Sequence, residues 1–386
     1  YPLLPGIRSR VVVTRRLRQH VYESGSADGE PLLLLHGNVA SARFFEELML
    51  ALPEYHVVAP DLRGYGASEA KPVDATRGVR DFADDVHALI KALGLHQVHL
   101  LGWSLGGNVS MQYVIEHAER VLSLTLLASG SPYGYGGTSG VDGQANYADY
   151  AGSGAGLVSP VIRARLQARD FGAASVFSPR AIFRRLYVRP WHYMPRVRED
   201  ALVEQILLMA LGDHHYPGDS LPSRNWPFVT PGAFGPNNAV APKYLNQRAL
   251  ADVRRKVPIL WLRGDQDRVV SDAALTDPGT AGKLRLIPRW PGTAVFPPQP
   301  MLAQLRAVLR QYAAHGGEYR EVVLANCGHS PHLERPGECV AVLRSFLRRA
   351  SPAPRTLVDQ IAAVVRPAPA PRSQWELPAL RAVNDA

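Results

Sequence analysis

An apolar stretch that ends in Gly102-Trp103-Ser104-Leu105-Gly106 and runs at once into an amphipathic segment constrains this chain more than any other feature. Val98 to Leu101 reads as a buried strand, and the residues after Gly106 read as a helix. A G-x-S-x-G pentapeptide set between strand and helix is a nucleophile elbow, with the serine at the apex of a strained turn. Strand and helix nearly collide at such a turn, so the neighbours of the serine have to be small. Gly102, Gly106 and Gly107 meet that requirement. The helix behind Ser104 aims free N–H groups at the space in front of it, where a developing negative charge can be held.

The same alternation recurs along the chain. Leu32–Leu35 follow Pro31 and lead into His36-Gly37-Asn38, and further apolar runs lie at 56–59, 122–128, 258–262 and 319–324. Unbroken apolar runs bounded by Pro or Gly read as strands buried on both faces. Helical spacing is found at 44–52, 79–93 and 337–350, and Val11-Val12-Val13 reads as part of the opening edge strands. The pattern predicts an α/β fold with a doubly wound, mostly parallel sheet. Its rhythm breaks between about 130 and 256. A Gly-, Ser- and Tyr-rich stretch (130–156) is followed by helix-like pieces at Pro179–Tyr187 and Glu199–Leu211, then by a Pro/Gly/aromatic segment. So long a structureless loop does not fit a compact domain, so 131–256 is expected to be a large inserted lid or cap. The core is then 1–130 and 257–350. Residues 351–386, rich in Ala, Pro and Arg, read as a loosely packed C-terminal extension.

Composition narrows the function class. The net charge of +9 rests on 38 arginines and only five lysines, and residues 161–200 hold nine arginines against three acids. No nucleic-acid motif accompanies them, so they read as solvated surface arginines, with attraction of an anionic substrate as the alternative. No apolar run approaches the ~20 residues of a membrane span. Cys327 and Cys339 are too few for a disulfide framework or a cysteine-built metal site, which favours a reducing, cytoplasmic setting. Tyr1 is not a start residue, which implies a cut or processed chain. Oligomeric state is not legible.

A serine nucleophile needs a base, and the base needs an orienting acid. On strand–turn–helix frameworks of this kind the chain order is serine, acid, histidine. Strand 258–262 is followed by Gly264-Asp265-Gln266-Asp267, and strand 319–324 by Asn326-Cys327-Gly328-His329. Either aspartate is placed to serve.

Four blocks in this order, His36-Gly37-Asn38, Asp61-Leu62-Arg63-Gly64-Tyr65-Gly66-Ala67-Ser68, Gly102-Trp103-Ser104-Leu105-Gly106 and the Asp267 and His329 loops, resemble the α/β-hydrolase superfamily. The likeness is to its lidded group around esterases, haloalkane dehalogenases and epoxide hydrolases, and it covers about 30–130 and 257–350. The resemblance implies Ser104 as nucleophile, His329 as general base and then acid, and Asp267, three residues after the glycine, as its orienter. Asp265 is then a turn residue. It also implies an oxyanion hole from the backbone N–H groups of Asn38 and Leu105. Dehalogenases and epoxide hydrolases carry a carboxylate at the elbow, so Ser104 removes the attacking group their chemistry needs. Asn38 reads instead as an oxyanion-loop residue in reach of substrate.

Other residues carry weaker expectations. Trp103 either lines the acyl pocket or simply packs, and His36 orders its loop. Pro331 interrupts the His329/His332 pair as a metal site, and His214-His215 form a local pair. Glu334 and Arg335 are expected to anchor the histidine loop by ion pairing, and Cys327 to pack as a small hydrophobe. The reading is a serine hydrolase for a small ester or lactone with an apolar portion, needing no cofactor or metal. Alternatives are C–C bond hydrolysis or acyl transfer by the same residues, or a non-catalytic small-ligand receptor on the same fold.

Overall fold

A computed structural model describes residues 1–351 and 381–383. The expected loosely packed extension therefore lies almost wholly outside the described residues. Among the described residues nine strands form one sheet: β1 (Arg8–Val13), β2 (Arg18–Gly25), β3 (Pro31–Leu35), β4 (His56–Pro60), β5 (Val98–Trp103), β6 (Val121–Leu127), β7 (Ile259–Gly264), β8 (Tyr319–Leu324) and β9 (Arg381–Val383). Their order is β1-β2-β4-β3-β5-β6-β7-β8-β9. The six strands from β4 to β8 in that order are parallel; β1, β2 and β9 add antiparallel edges.

The apolar runs sit where strands covered on both faces must sit. Every residue of β5 is buried, as are Leu32–Leu35 of β3. Helices α1 (Arg80–Ala92) and α2 (Leu105–His117) pack on each other, and α2 lies against β5 and β6. The short helices Glu46–Leu50 and Pro331–Glu334 pack together with the long helix Pro336–Ala350, which rests on β6 and β7. Helices thus lie against the sheet in two groups, as the βα alternation requires.

Between β6 and β7 the chain makes short two-stranded ribbons and several helical pieces, among them α3 (Pro160–Gln167), a turn of helix at Pro179–Ile182 that widens through 183–187, α4 (Arg196–Ile206) and the short helix Pro236–Ala239. The expected 199–211 helix begins earlier and stops at Ile206, because 207–210 turn into the short strand Leu211–Gly212. This segment is bolted to the sheet domain: Ser41 Oγ donates to Gln205 Oε1 (3.0 Å), and Arg198 meets the carboxylates of Glu46 and Glu47. Its arginines are not all solvated as expected. Arg180 is fully buried, because Glu199 and Asp200 on the facing helix neutralise it. Helix α5 (Met301–Ala314) and α6 (the Pro336–Ala350 helix) complete the frame. Among the described residues no helix is long and apolar enough to cross a membrane.

Candidate active site

Parallel strands end on one side of the sheet, and four of those ends bring the candidate residues together. Ser104 follows β5 with φ 55° and ψ −118°, a region that a side chain with a β-carbon tolerates poorly. Neighbouring backbone holds it there. Its N–H donates to the Leu127 carbonyl of β6 (3.0 Å), and its carbonyl accepts from Gly107 N–H (2.9 Å). A β-carbon at Gly102 would lie 2.1 Å from the Gly106 carbonyl oxygen, and one at Gly106 would lie 2.1 Å from that of Leu35. Any larger residue would push α2 off the sheet.

His329 is buried in the loop after β8, and its Nδ1 lies 2.8 Å from Asp267 Oδ2. The other Asp267 oxygen accepts from Val269 N–H (2.7 Å) and Val270 N–H (2.9 Å), which locks the carboxylate toward the ring. With Nδ1–H engaged, Nε2 keeps its lone pair free. Asp265 is exposed and takes Cys327 N–H (3.1 Å), so it braces the turn and does not reach the histidine. Ser104 and His329 line one cavity of about 400 Å³. Among the described residues no hydrogen bond joins the Ser104 hydroxyl to the imidazole; such pairs often tighten only around the reacting group.

Asn38 and Leu105 line the same cavity. Leu105 opens α2, so its N–H has no acceptor within the helix. The Asn38 carbonyl accepts from the Tyr187 hydroxyl (2.6 Å), and its side chain is held by Tyr65 (2.6 Å) and Asn237 (2.7 Å). The 61–68 block that carries Tyr65 is itself braced. Asp61 accepts from Ala42 N–H (2.9 Å) and Ala67 N–H (3.0 Å), and Arg63 grips Asp85 (2.7 and 2.8 Å).

His36 orders its loop: Leu62 N–H donates to Nε2 (3.0 Å), so the ring donates through Nδ1 to the Gly37 carbonyl (2.8 Å). Burial pushes its pKa down, in keeping with a neutral ring. Two expectations are corrected. Trp103 does not line the cavity: it is fully buried behind the elbow, its indole N–H bonds the His329 carbonyl (2.8 Å), and its ring packs against Phe44 and His332. Glu334 does not form an ion pair with Arg335, whose partner is Glu338 (2.6 Å). Glu334 instead accepts backbone N–H groups of Gly328, Ser330 and Arg189, the last from the segment between β6 and β7. Burial pushes its pKa above the usual carboxylate value. Cys327 packs in the core as expected, and burial pushes its thiol up. His214 packs its ring at a tilt against Phe234 (4.3 Å between centroids), and neither residue lines the cavity. Tyr65 lies in the 61–68 block already singled out, but its contact with Asn38, like those of Tyr187 and Asn237, carried no sequence signal. They lie 27, 149 and 199 residues from the asparagine they contact.

The 2-hydroxymuconate semialdehyde hydrolase of Pseudomonas sp. (strain CF600) is 32% identical over 124 residues, which are 31% of this chain and 43% of that protein. Lipase 1 of Psychrobacter immobilis is 37% identical over 108 residues, 28% of this chain and 34% of the lipase. The matches thus span less than half the length of these relatives. A solved esterase from Exiguobacterium antarcticum superposes with a TM-score of 0.55 at 18% identity, over 88% of this chain and all of that one (100%), a likeness of fold alone. The family model described as alpha/beta hydrolase fold matches residues 30–281, well over half the chain, and the chain belongs to that family.

Proposed function

We propose that this chain is a serine hydrolase that cleaves a carboxylic ester or lactone with an apolar portion. One observation carries the reading: a serine held at positive φ shares a largely apolar cavity with a histidine whose far nitrogen is fixed by Asp267. Ser104 Oγ attacks the carbonyl carbon while His329 Nε2 takes its proton. The tetrahedral anion faces the N–H groups of Asn38 and Leu105, each such donor being worth on the order of 10²–10³ in rate. Collapse expels the alcohol, which leaves with the proton from His329. Water then attacks the acyl-enzyme by the same route, and the acid departs. Asp267 holds the imidazole in the tautomer that accepts from serine. Residues 131–256 serve as the lid, with Ile162, Leu166, Ile182 and Leu186 as apolar wall.

A second reading, hydrolysis of a C–C bond next to a carbonyl, is favoured by the likeness to a semialdehyde hydrolase. The experiment is hydrolysis of p-nitrophenyl esters of increasing acyl length by the wild type and by Ser104→Ala. Activity with a chain-length optimum that falls to background in the variant is expected. Activity that survives in Ser104→Ala overturns the mechanism, and inactivity of both proteins favours the C–C reading.

A further inference from the structure

The cavity wall holds polar groups that the chemistry of Ser104 and His329 does not use, and their directions are forced. Val39 N–H donates to the Asn38 side chain at 3.0 Å. A backbone N–H can only donate, so the atom it meets has to be Oδ1. The buried Tyr65 hydroxyl donates to the same oxygen (2.6 Å). Asn38 Nδ2 is therefore turned toward Asn237 and needs an acceptor there, which Asn237 Oδ1 supplies at 2.7 Å. The Asn237 amide is oriented in consequence, its oxygen on Asn38 and its NH2 facing away. That NH2 has no protein acceptor among the described residues, yet it is not sealed inside protein, and Asn237 lines the cavity.

A second donor lines the same cavity. The strand Tyr216–Pro217 packs on the short helix Pro236–Ala239 that carries Asn237. Tyr216 lines the same cavity, and its hydroxyl likewise has no protein partner among the described residues and is not sealed off. Burial pushes its pKa up, so the phenol keeps its hydrogen. No Lys, Arg, Asp or Glu lines the cavity among the described residues, so an ionised group there would lose hydration, and Arg163, which borders the adjoining pocket with Tyr216, is the cation that acts on Tyr216. An all-alkyl chain against this wall would leave both donors unpaired.

We propose that Asn237 Nδ2 and the Tyr216 hydroxyl form a two-donor subsite for an uncharged oxygen of the substrate, an ether, ketone or hydroxyl. The substrate class is then an otherwise apolar, uncharged ester bearing a second oxygen function. Placing this oxygen within an ester rests on the serine hydrolase reading; the subsite itself is a matter of binding.

The test uses ester pairs in which one methylene of the acyl or alkoxy chain is replaced by an ether oxygen, walked along the chain and followed by acid release in a pH-stat. The full-length wild type, Asn237→Asp, Asn237→Leu and Tyr216→Phe are compared. The ratio of kcat/KM for the oxa ester to that for the alkyl ester cancels intrinsic reactivity when taken between proteins. At one chain position this ratio is expected to fall about three- to tenfold for each donor lost, in line with one neutral hydrogen bond. Tyr216→Phe removes only an unpartnered hydroxyl, so it keeps the test valid if the Asn237 variants fold poorly. Calorimetric binding of the corresponding non-hydrolysed oxa and alkyl amides to the same proteins provides a readout without turnover. A ratio unchanged at every position, with amide affinities likewise unchanged, overturns the subsite. Tighter binding of the oxa amide that needs Asn237 and Tyr216, without hydrolysis of any ester, supports the subsite and sinks the esterase reading alone.

Discussion

The loop that presents His329 hangs on one buried carboxylate, which makes Glu334→Gln a sharp probe. Glu334 accepts from Gly328 N–H through both oxygens (3.0 and 3.1 Å), from Ser330 N–H (3.2 Å) and from Arg189 N–H (2.8 Å). A glutamine can keep its oxygen on Gly328 and Ser330 only by turning its NH2 onto the Arg189 N–H, where two donors face each other. The opposite flip keeps Gly328 and Arg189 but sets the NH2 against the Ser330 N–H, so either orientation loses one of the three N–H partners. A hydrogen bond to a charged group contributes roughly 1.5–3 kcal/mol, so Glu334→Gln should lower unfolding stability by about 2–3 kcal/mol. Glu334→Ala leaves all three N–H groups unmatched and should cost about twice as much. Urea unfolding at constant m-value reads both. Burial raises the Glu334 pKa, so the folded chain holds that proton more readily than the unfolded one. The native contribution is then largest at acid pH and declines as pH rises from the usual carboxylate range through the raised value. The glutamine variant should lack that component of the slope. A Glu334→Gln stability within about 0.5 kcal/mol of wild type, the range of ordinary surface changes, would refute the bracing role.

Three further outcomes are expected. Asp267→Asn keeps an acceptor for Val269 and Val270 but turns an NH2 toward His329 Nδ1, which imposes the wrong tautomer. We expect kcat to drop on the order of 10³–10⁴ with thermal unfolding nearly unchanged, and a drop below tenfold would remove Asp267 from the triad. Burial between Trp103 and Phe45 pushes the His332 pKa down from 6.5 to about 3. The unfolded chain therefore takes up a proton there, and stability is lost as pH falls from about 6.5 toward 3. His332→Phe should flatten that loss between pH 8 and pH 5, and an identical decline in both proteins would contradict it. Cys327 and Cys339 are buried, with the Cys339 thiol pushed up to about 12. The native chain should leave a thiol reagent unreacted until denaturant frees both; rapid native labelling would count against the packing described.

Much of the frame was legible because burial on both faces forces continuous apolar runs. The runs at 32–35, 98–101 and 319–324 each became a strand at nearly the expected bounds. The elbow was legible for a related reason, since the clearance at Gly102 and Gly106 admits no other residue type without moving α2. The segment from 131 to 256 was not, because its pieces are short and take their order from contacts with the sheet domain. Arg180 illustrates this: its burial depends on Glu199 and Asp200 on another helix.

The sequence by itself determined the order of strands and helices, the strained turn at Ser104 and the pair of aspartates from which an acid could come. These are local matters, settled by period, side-chain size and backbone freedom within a few residues. The resemblance already pointed to Asp267, but the reason that it and not Asp265 meets the imidazole lies in the tertiary structure: β7 and β8 pair in parallel with Gly264 opposite Leu324, and the turns beyond them present one carboxylate to the ring. Only the tertiary structure turned Trp103 inward, set Glu334 on backbone N–H groups and linked Asn38 to Asn237. A hydrogen bond depends on distance and direction in space, and residues 199 positions apart acquire those only when the chain has folded.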